Sequence, residues 1–323
     1  MPMIVTNPNV TRSRLVLEIA SEMIGGNDPQ AQPDFYQAKA VLRATKPGGK
    51  TVTLFGSSTA EGIEAVARGE ADLGIINPAC VLSVALRGKG QFRTPQPVRA
   101  IGVIPSWDQF VFAVRPETGL ESFEDIAAKR PKLRVSMRGT PDHTLHAMFD
   151  DAAAAAGFSR ADLEAWGSAI RMEGALPYPD SPKFAALLRG EIDAIFDEAA
   201  PYWVNEALDA GIRVLPLAEA TMRTLEAMGY HRALMPKRDF PKLPRDVLTL
   251  DFSGWTIFVR ENAEDALVEQ ICAGLDARKA RIPWEEAGPL PVERMARDAR
   301  DTPQLVPLHP AAERFWRGRG YLG

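Results

Sequence analysis

Residues 50–87, KTVTLFGSSTAEGIEAVARGEADLGIINPACVLSVALR, switch between the two-residue period of a strand and the 3.6-residue period of a helix, and few folds accept that order. Val52, Leu54 and Phe55 form a short β-rich run that stops at Gly56. Ser57, Ser58 and Thr59 then offer an N-cap to a helix from Ala60 to Arg68, with Ile63, Val66 and Ala67 on one face and Gly69 as its stop. Ala71 to Ile76 is nearly all apolar, as befits a strand covered on both faces, and Asn77-Pro78 closes it before a further helix. Two parallel strands therefore end in polar turns on one edge of a sheet, where open α/β folds place ligands. That edge is expected to form one wall of a binding cleft.

The chain has 323 residues, enough for two domains at a typical ~150 residues each. The formal net charge is -4 and no long Lys/Arg block is present, which argues against a nucleic-acid partner. Cys80 and Cys272 are the only cysteines and form no CxxC arrangement, so a cysteine-built metal site is excluded. The first residues lack the basic start, apolar core and cleavage site of a secretory signal, and no apolar run approaches the roughly 20 residues that cross a bilayer. Taken literally, the sequence leads to the expectation of a cytoplasmic protein with no direct membrane insertion.

Before the organising stretch, Arg14 to Ile19 reads as a strand, GGNDPQAQPD as a loop and Asp34 as the cap of a helix running to Arg43. After it, Val98 to Val103 and Phe110 to Val114 read as strands on either side of Pro105-Ser106-Trp107-Asp108. The strand and helix order then restarts: a short helix in SFEDIAAKR, a strand at Leu133 to Met137, and Gly139-Thr140-Pro141 opening an Ala-rich helix to about Ala156. A helix at Phe184 to Leu188, strands at Ile192 to Phe196 and Val214 to Leu217, and the polar turn Asp197-Glu198 follow. Val247 to Val259, broken by Ser253-Gly254, reads as a return crossing, and Glu264 to Ala280 as a helix before the tail. Such a restart implies a second α/β domain. The expected lobes are residues 1–113 with 253–323, and residues 114–252.

The segments GSSTAEGIEAVARGEADLGIIN, FAVRPETGLESFEDIAAKRPKLRVSMRGTPDHT, LLRGEIDAIFDEAAP and PLHPAAERFW resemble the TAXI family of solute receptors, the binding subunits of a class of TRAP transporters. The resemblance implies the two-lobed type II periplasmic-binding-protein fold, with two α/β lobes joined by a two-strand hinge. It further implies a periplasmic location, a small-molecule ligand and a TRAP-type membrane permease as partner. Thr144 keeps the residue found where the family opens its second-lobe helix, whereas Asp142 and His143 depart from it. His309 in the tail matches the family and is expected to lock the last helix to the first lobe.

Ser57, Ser58, Thr59 and Asn77 are candidate ligand contacts from the first lobe, each with capping or turn formation as its ordinary role. Trp107 at the first crossing and Trp203 in the second lobe are candidate apolar walls, or packed core. Arg138 can hold a carboxylate through two N–H groups, and Thr140, His143 and Thr144 follow it in the same turn. Glu198, beside Asp197, either accepts from a ligand or pairs with Arg138. His143 and His146 lie three apart with no third ligand motif, so no metal is expected, and no nucleotide-binding or covalent-catalysis motif calls for a cofactor. The expected function is capture of an organic acid with an apolar or aromatic part, the alternative being a decarboxylase or other lyase on the same scaffold, in which His143 and a carboxylate exchange protons.

Overall fold

The computed structural model describes residues 37–43, 51–57 and 59–322, together with Val16, Ile19 and Met23. Contacts divide the chain into two compact units, residues 1–38 and residues 39–323. In the first unit Val16, Ile19 and Met23 are helical and exposed. The strand expected over Arg14 to Ile19 is thus corrected at Val16 and Ile19, whose spacing with Met23, three then four residues, is that of a helix face. The rest of that run, the loop after it, Asp34 and Ser58 lie outside the described residues.

Two five-stranded sheets carry the second unit. The first has the order β1 (Gln37–Arg43), β2 (Thr51–Ser57), β3 (Leu73–Ile76), β12 (Trp255–Arg260), β4 (Val98–Ile104). The second has the order β7 (Ala169–Met172), β6 (Arg134–Met137), β8 (Ala194–Asp197), β5 (Val111–Val114), β9 (Arg213–Val214). β10 (Arg232–Met235) and β11 (Val247–Leu250) form a separate antiparallel pair. β2 runs parallel to β3, and β6 parallel to β7 and β8, as the strand-helix-strand order requires. Each sheet also takes one strand delivered by a crossing, and that strand is antiparallel to both neighbours: β12 between β3 and β4, and β5 between β8 and β9.

β1 corrects the helix expected up to Arg43. Its residues are good helix formers, but the segment is an edge strand of the first sheet, and such pairing overrides a weak local propensity. Val214 to Leu217 shortens to Arg213–Val214. The Ala-rich helix begins at Thr144, not at Thr140-Pro141, because a turn closed by His143 N–H donating to Thr140 O (3.2 Å) intervenes and His143 becomes the N-cap.

The chain leaves the first sheet after Ile104 and enters the second at Val111, so Phe112 and Ala113 belong to the second sheet. It returns between Leu250 and Trp255. These two crossings lie side by side: Phe110 N–H donates to Leu250 O (3.0 Å), Phe252 N–H to Asp108 O (3.0 Å) and Gly254 N–H to Ser106 O (2.9 Å). The two-residue period sorts the core. Phe112 and Val114 join one large apolar cluster shared by both sheets, while Val111 and Ala113 face a second cluster with Trp203 and Phe240. A third cluster lies on the other face of the first sheet, with Ile257, Val259 and Trp316. The tail completes it: His309 caps the helix Pro310–Gly318, His309 N–H donates to Ala100 O (2.8 Å) and Trp316 Nε1 to Ile101 O (2.8 Å).

Candidate functional site

Two strand ends, one crossing and one helix start converge at the edge of the second sheet. β6 ends at Met137 and delivers Arg138; β8 ends in Asp197 and Glu198; the first crossing supplies Asp108; and the helix Thr144–Ala155 starts at His143. Arg138 Nη2 donates to Asp197 Oδ1 (2.8 Å) and Glu198 Oε1 (2.6 Å). Lys183, on the helix Pro182–Leu188, reaches the other Asp197 oxygen at 3.0 Å and two backbone carbonyls, Met137 O and Ala175 O. Of the two roles open to Glu198 on sequence, the structure takes pairing with Arg138.

Asp108 supports this cluster from the crossing. Its Oδ2 accepts from Ala199 N–H (2.7 Å) and its Oδ1 from Ala200 N–H (2.8 Å) and Gln109 N–H (2.7 Å). It thereby caps the helix Ala200–Asp209 from outside, where a negative charge is favoured. Ala199 sits between Glu198 and this helix with φ +65°, a left-handed conformation that costs an alanine on the order of 1 kcal/mol or more and persists only where neighbours enforce it. Asp108 is such a neighbour.

The electrostatics follow from counting. Arg138 and Lys183 pair with Asp197, and Arg138 also with Glu198, while Asp108 has no cation among the described residues and stands against Glu198 in a buried setting, so one carboxylate is in surplus. Burial would push Asp197 up, yet Arg138 and Lys183 hold it below its ordinary range. Burial pushes Glu198 up to about 7 against the attraction of Arg138. Asp108 is pushed up by burial and then by Glu198, against its three amide donors. The surplus proton therefore belongs to the Glu198 and Asp108 pair.

His143 is the neutral member. Its Nδ1 accepts from Leu145 N–H (3.2 Å), which puts the ring hydrogen on Nε2. Burial, then the charge of Arg138, pushes its imidazole down to about 3. Nε2 faces Glu198 Oε1 at 3.7 Å, too long for a hydrogen bond. Arg138 Nε and Thr144 Oγ1 are buried without a partner. The cluster thus satisfies its acids and leaves donors unmet. Aromatic side chains stand close by: Tyr178 and Tyr202 are exposed with ring centroids 6.1 Å apart, and the Tyr178 hydroxyl feels the charges of Arg138, Glu198 and Asp108. Glu285, bonded by Ser106 Oγ (2.7 Å), adds its charge to the field at Glu198.

The remaining sequence candidates divide. Asn77 Nδ2 donates to Phe252 O (3.1 Å) and Gly254 O (3.2 Å), tying β3 to the return crossing. Phe252 stacks on His143 with centroids 6.4 Å apart, so Asn77 joins the cluster through that ring. Thr140 is half-buried in the turn before His143. Ser57 Oγ accepts from Thr59 N–H (2.9 Å) and shares a hydrogen bond with the Thr59 hydroxyl (2.8 Å), a local turn ahead of the helix Ala60–Ala67, whose N-cap Thr59 makes no side-chain cap bond. Trp203 is corrected as a cleft wall: its ring is fully buried in the second apolar cluster and its Nε1 donates to Glu198 O (2.8 Å), holding that residue from behind. Trp107 packs against Phe240 and Arg300, on the opposite face of the crossing from Asp108.

Asp108, Lys183, Tyr178 and Tyr202 were not singled out from sequence. Lys183 carried a signal, since it shares a helix face with Phe184 and Leu187 and a lysine on such a face needs a buried partner. Asp108 carried none, because its partners lie 91 and 92 residues away. Among the described residues no group of three His, Cys, Asp or Glu side chains can hold a metal ion, and both cysteines are buried free thiols. No described helix is long and apolar enough to cross a membrane.

The sequence profile of the NMT1-like family matches residues 44–320. No curated protein sequence matches the chain. Among solved structures, the chain is similar to the periplasmic aliphatic sulphonate binding protein SsuA from Escherichia coli at 17% identity and a TM-score of 0.33, over 66% of this chain and 53% of that one. It thus spans about half the length of that protein. It is also similar to the alkanesulfonate-binding SsuA from Xanthomonas axonopodis pv. citri bound to MOPS, at 16% identity and a TM-score of 0.29 over 79% and 68% of the two chains. A TctC solute binding protein from Polaromonas matches at 18% identity and a TM-score of 0.31 over 68% and 67%.

Proposed function

This chain belongs to the NMT1-like family, and from that premise we propose that it is a solute-binding protein that captures a small organic carboxylate between two lobes. The lobes are built on the two sheets and divide at the paired crossings, residues 105–110 and 251–254, rather than at 113 and 253. Delivery to a TRAP-type permease and a periplasmic location complete the reading. The observation that carries it is the unmet donor set around Arg138. Arg138 Nε has no partner, His143 Nε2–H lacks an acceptor within hydrogen-bond reach, and Thr144 Oγ1 is buried and unpaired. A ligand carboxylate supplies the acceptors these groups lack. Tyr178 and Tyr202 suit its apolar or aromatic part.

Glu198 competes with such a ligand for Arg138. With a proton on Glu198, Arg138 and Lys183 share the single charge of Asp197 and the group is net positive; without it, the ligand meets a second anion. Affinity should therefore fall as pH rises through about 7. Closure follows only from tighter binding to the shut form. The lyase alternative has less support from His143, whose imidazole, held near 3, is neutral and only a weak base at neutral pH.

A thermal-shift screen of organic acids at pH 6 and pH 8 tests the proposal. A carboxylate that binds should do so on the order of tenfold more tightly at pH 6, and Glu198→Gln should remove that dependence. Equal binding by uncharged esters of the same acids would refute it.

A further inference from the structure

The two crossings form a ribbon with two faces, and the alternation that points Asp108 and Phe252 toward the cluster around Arg138 points Trp107, Gln109 and Asp251 the other way. Behind the ribbon these three line an open cavity of about 460 Å³, walled by the β10–β11 pair and Arg300. Most of its charges are already answered, Arg238 at the rim being the exposed exception, 3.6 Å from the Asp239 that Arg300 also holds. His231 Nδ1 meets Asp251 Oδ2 at 2.8 Å, Arg232 is held by Glu219 and Glu226, and both Arg300 Nη atoms donate to Asp239 Oδ2 at 3.1 Å. The unmet demand is uncharged. Gln109 is fully buried with neither its Nε2 nor its Oε1 partnered, and Trp107 Nε1 is buried without an acceptor. A buried amide missing both partners is costly, and native structures contain few.

We propose that this cavity is a second ligand site, separate from the Arg138 cluster, that takes an uncharged carboxamide or lactam with a small apolar body. An amide group offers what is missing in one unit: its N–H donates to Gln109 Oε1 while its carbonyl accepts from Gln109 Nε2 or Trp107 Nε1. Ala233, Leu234 and Pro236 receive the apolar body. A carboxylate lacks the donor that Gln109 Oε1 needs and would bring a charge beside a buried, uncharged amide, so the Gln109 end selects against acids.

The test uses the full chain, with benzamide, N,N-dimethylbenzamide and benzoate as probes, read by calorimetry and by the indole ¹H–¹⁵N resonance of Trp107. Benzamide should bind and move that resonance. Dimethylbenzamide, without an N–H, and benzoate should each bind about tenfold more weakly or not at all. Gln109→Leu, which matches the shape of the side chain, should abolish benzamide binding while raising Tm, because it removes two orphaned polar atoms. Ala233→Glu, at the apolar wall, should abolish binding and leave Gln109 in place. Absence of benzamide binding, benzoate binding as tightly as benzamide, or unchanged binding in Gln109→Leu would each overturn the proposal.

Discussion

His143 offers the most direct check on the electrostatics of the Arg138 cluster, through stability as a function of pH. Its imidazole is pushed from an ordinary 6.5 down to about 3, by burial and then by Arg138. A group whose native value is depressed contributes stability above its unfolded value and loses it as pH falls toward the native one. In the unfolded chain His143 takes up a proton below 6.5, and in the native state it does not until about 3. At pH 4.5 the gap is about two units, or about 2.7 kcal/mol of stability lost relative to neutral pH. That figure barely depends on how far below 4.5 the native value lies. Glu198 acts with the opposite sign in the same window, since its value is raised to about 7, so the parent protein alone would show a muted slope. The informative quantity is the difference between parent and His143→Asn, which keeps an N-cap acceptor for Leu145 N–H and removes the titrating ring. Urea unfolding of both proteins at pH 7 and pH 4.5 should show the parent losing about 2.7 kcal/mol relative to the variant. A difference that stays constant across this range would refute the neutral, buried His143 and the hydrogen-bond assignment built on it.

Other expectations are simpler. Asp108→Ala removes the acceptor of three backbone amides and the support for the left-handed Ala199, and should lower stability by about 2 kcal/mol in urea unfolding. Lys183→Met leaves Asp197 with Arg138 alone in a fully buried position; a loss of about 3–5 kcal/mol is expected, and an unchanged urea midpoint would mean that Lys183 is dispensable. Trp316→Ala empties the third apolar cluster and cuts the bond to Ile101 O, costing about 3–5 kcal/mol. Thermal unfolding of these variants checks the order of the losses.

Much of the scaffold could be read along the chain because it is local. The organising stretch folds as its periods indicate, and the antiparallel insertion of β12 beside β3 completes it. Where a segment's neighbours decide, local reading fails: QAKAVLR is a good helix by composition and an edge strand in the sheet. The same division holds for the candidate site. Arg138, Glu198 and His143 announce themselves as polar residues at the ends of apolar strands or at the head of a helix. That Trp203 stands behind Glu198 rather than before a ligand depends on which face of the helix Ala200–Asp209 meets the sheet.

Sequence by itself determined the alternation of strands and helices, the polar turns at their ends and the restart that yields a second sheet, since each of these rests on contacts within a few residues. Only the tertiary structure decided that Asp108 reaches Ala199 and stands against Glu198, that Asp197 and Glu198 share Arg138, and that Trp107 and Gln109 look out from the opposite face of the ribbon. Charge and hydrogen-bond balance are sums over neighbours distant in sequence, and a one-residue step along a strand reverses the face a side chain occupies.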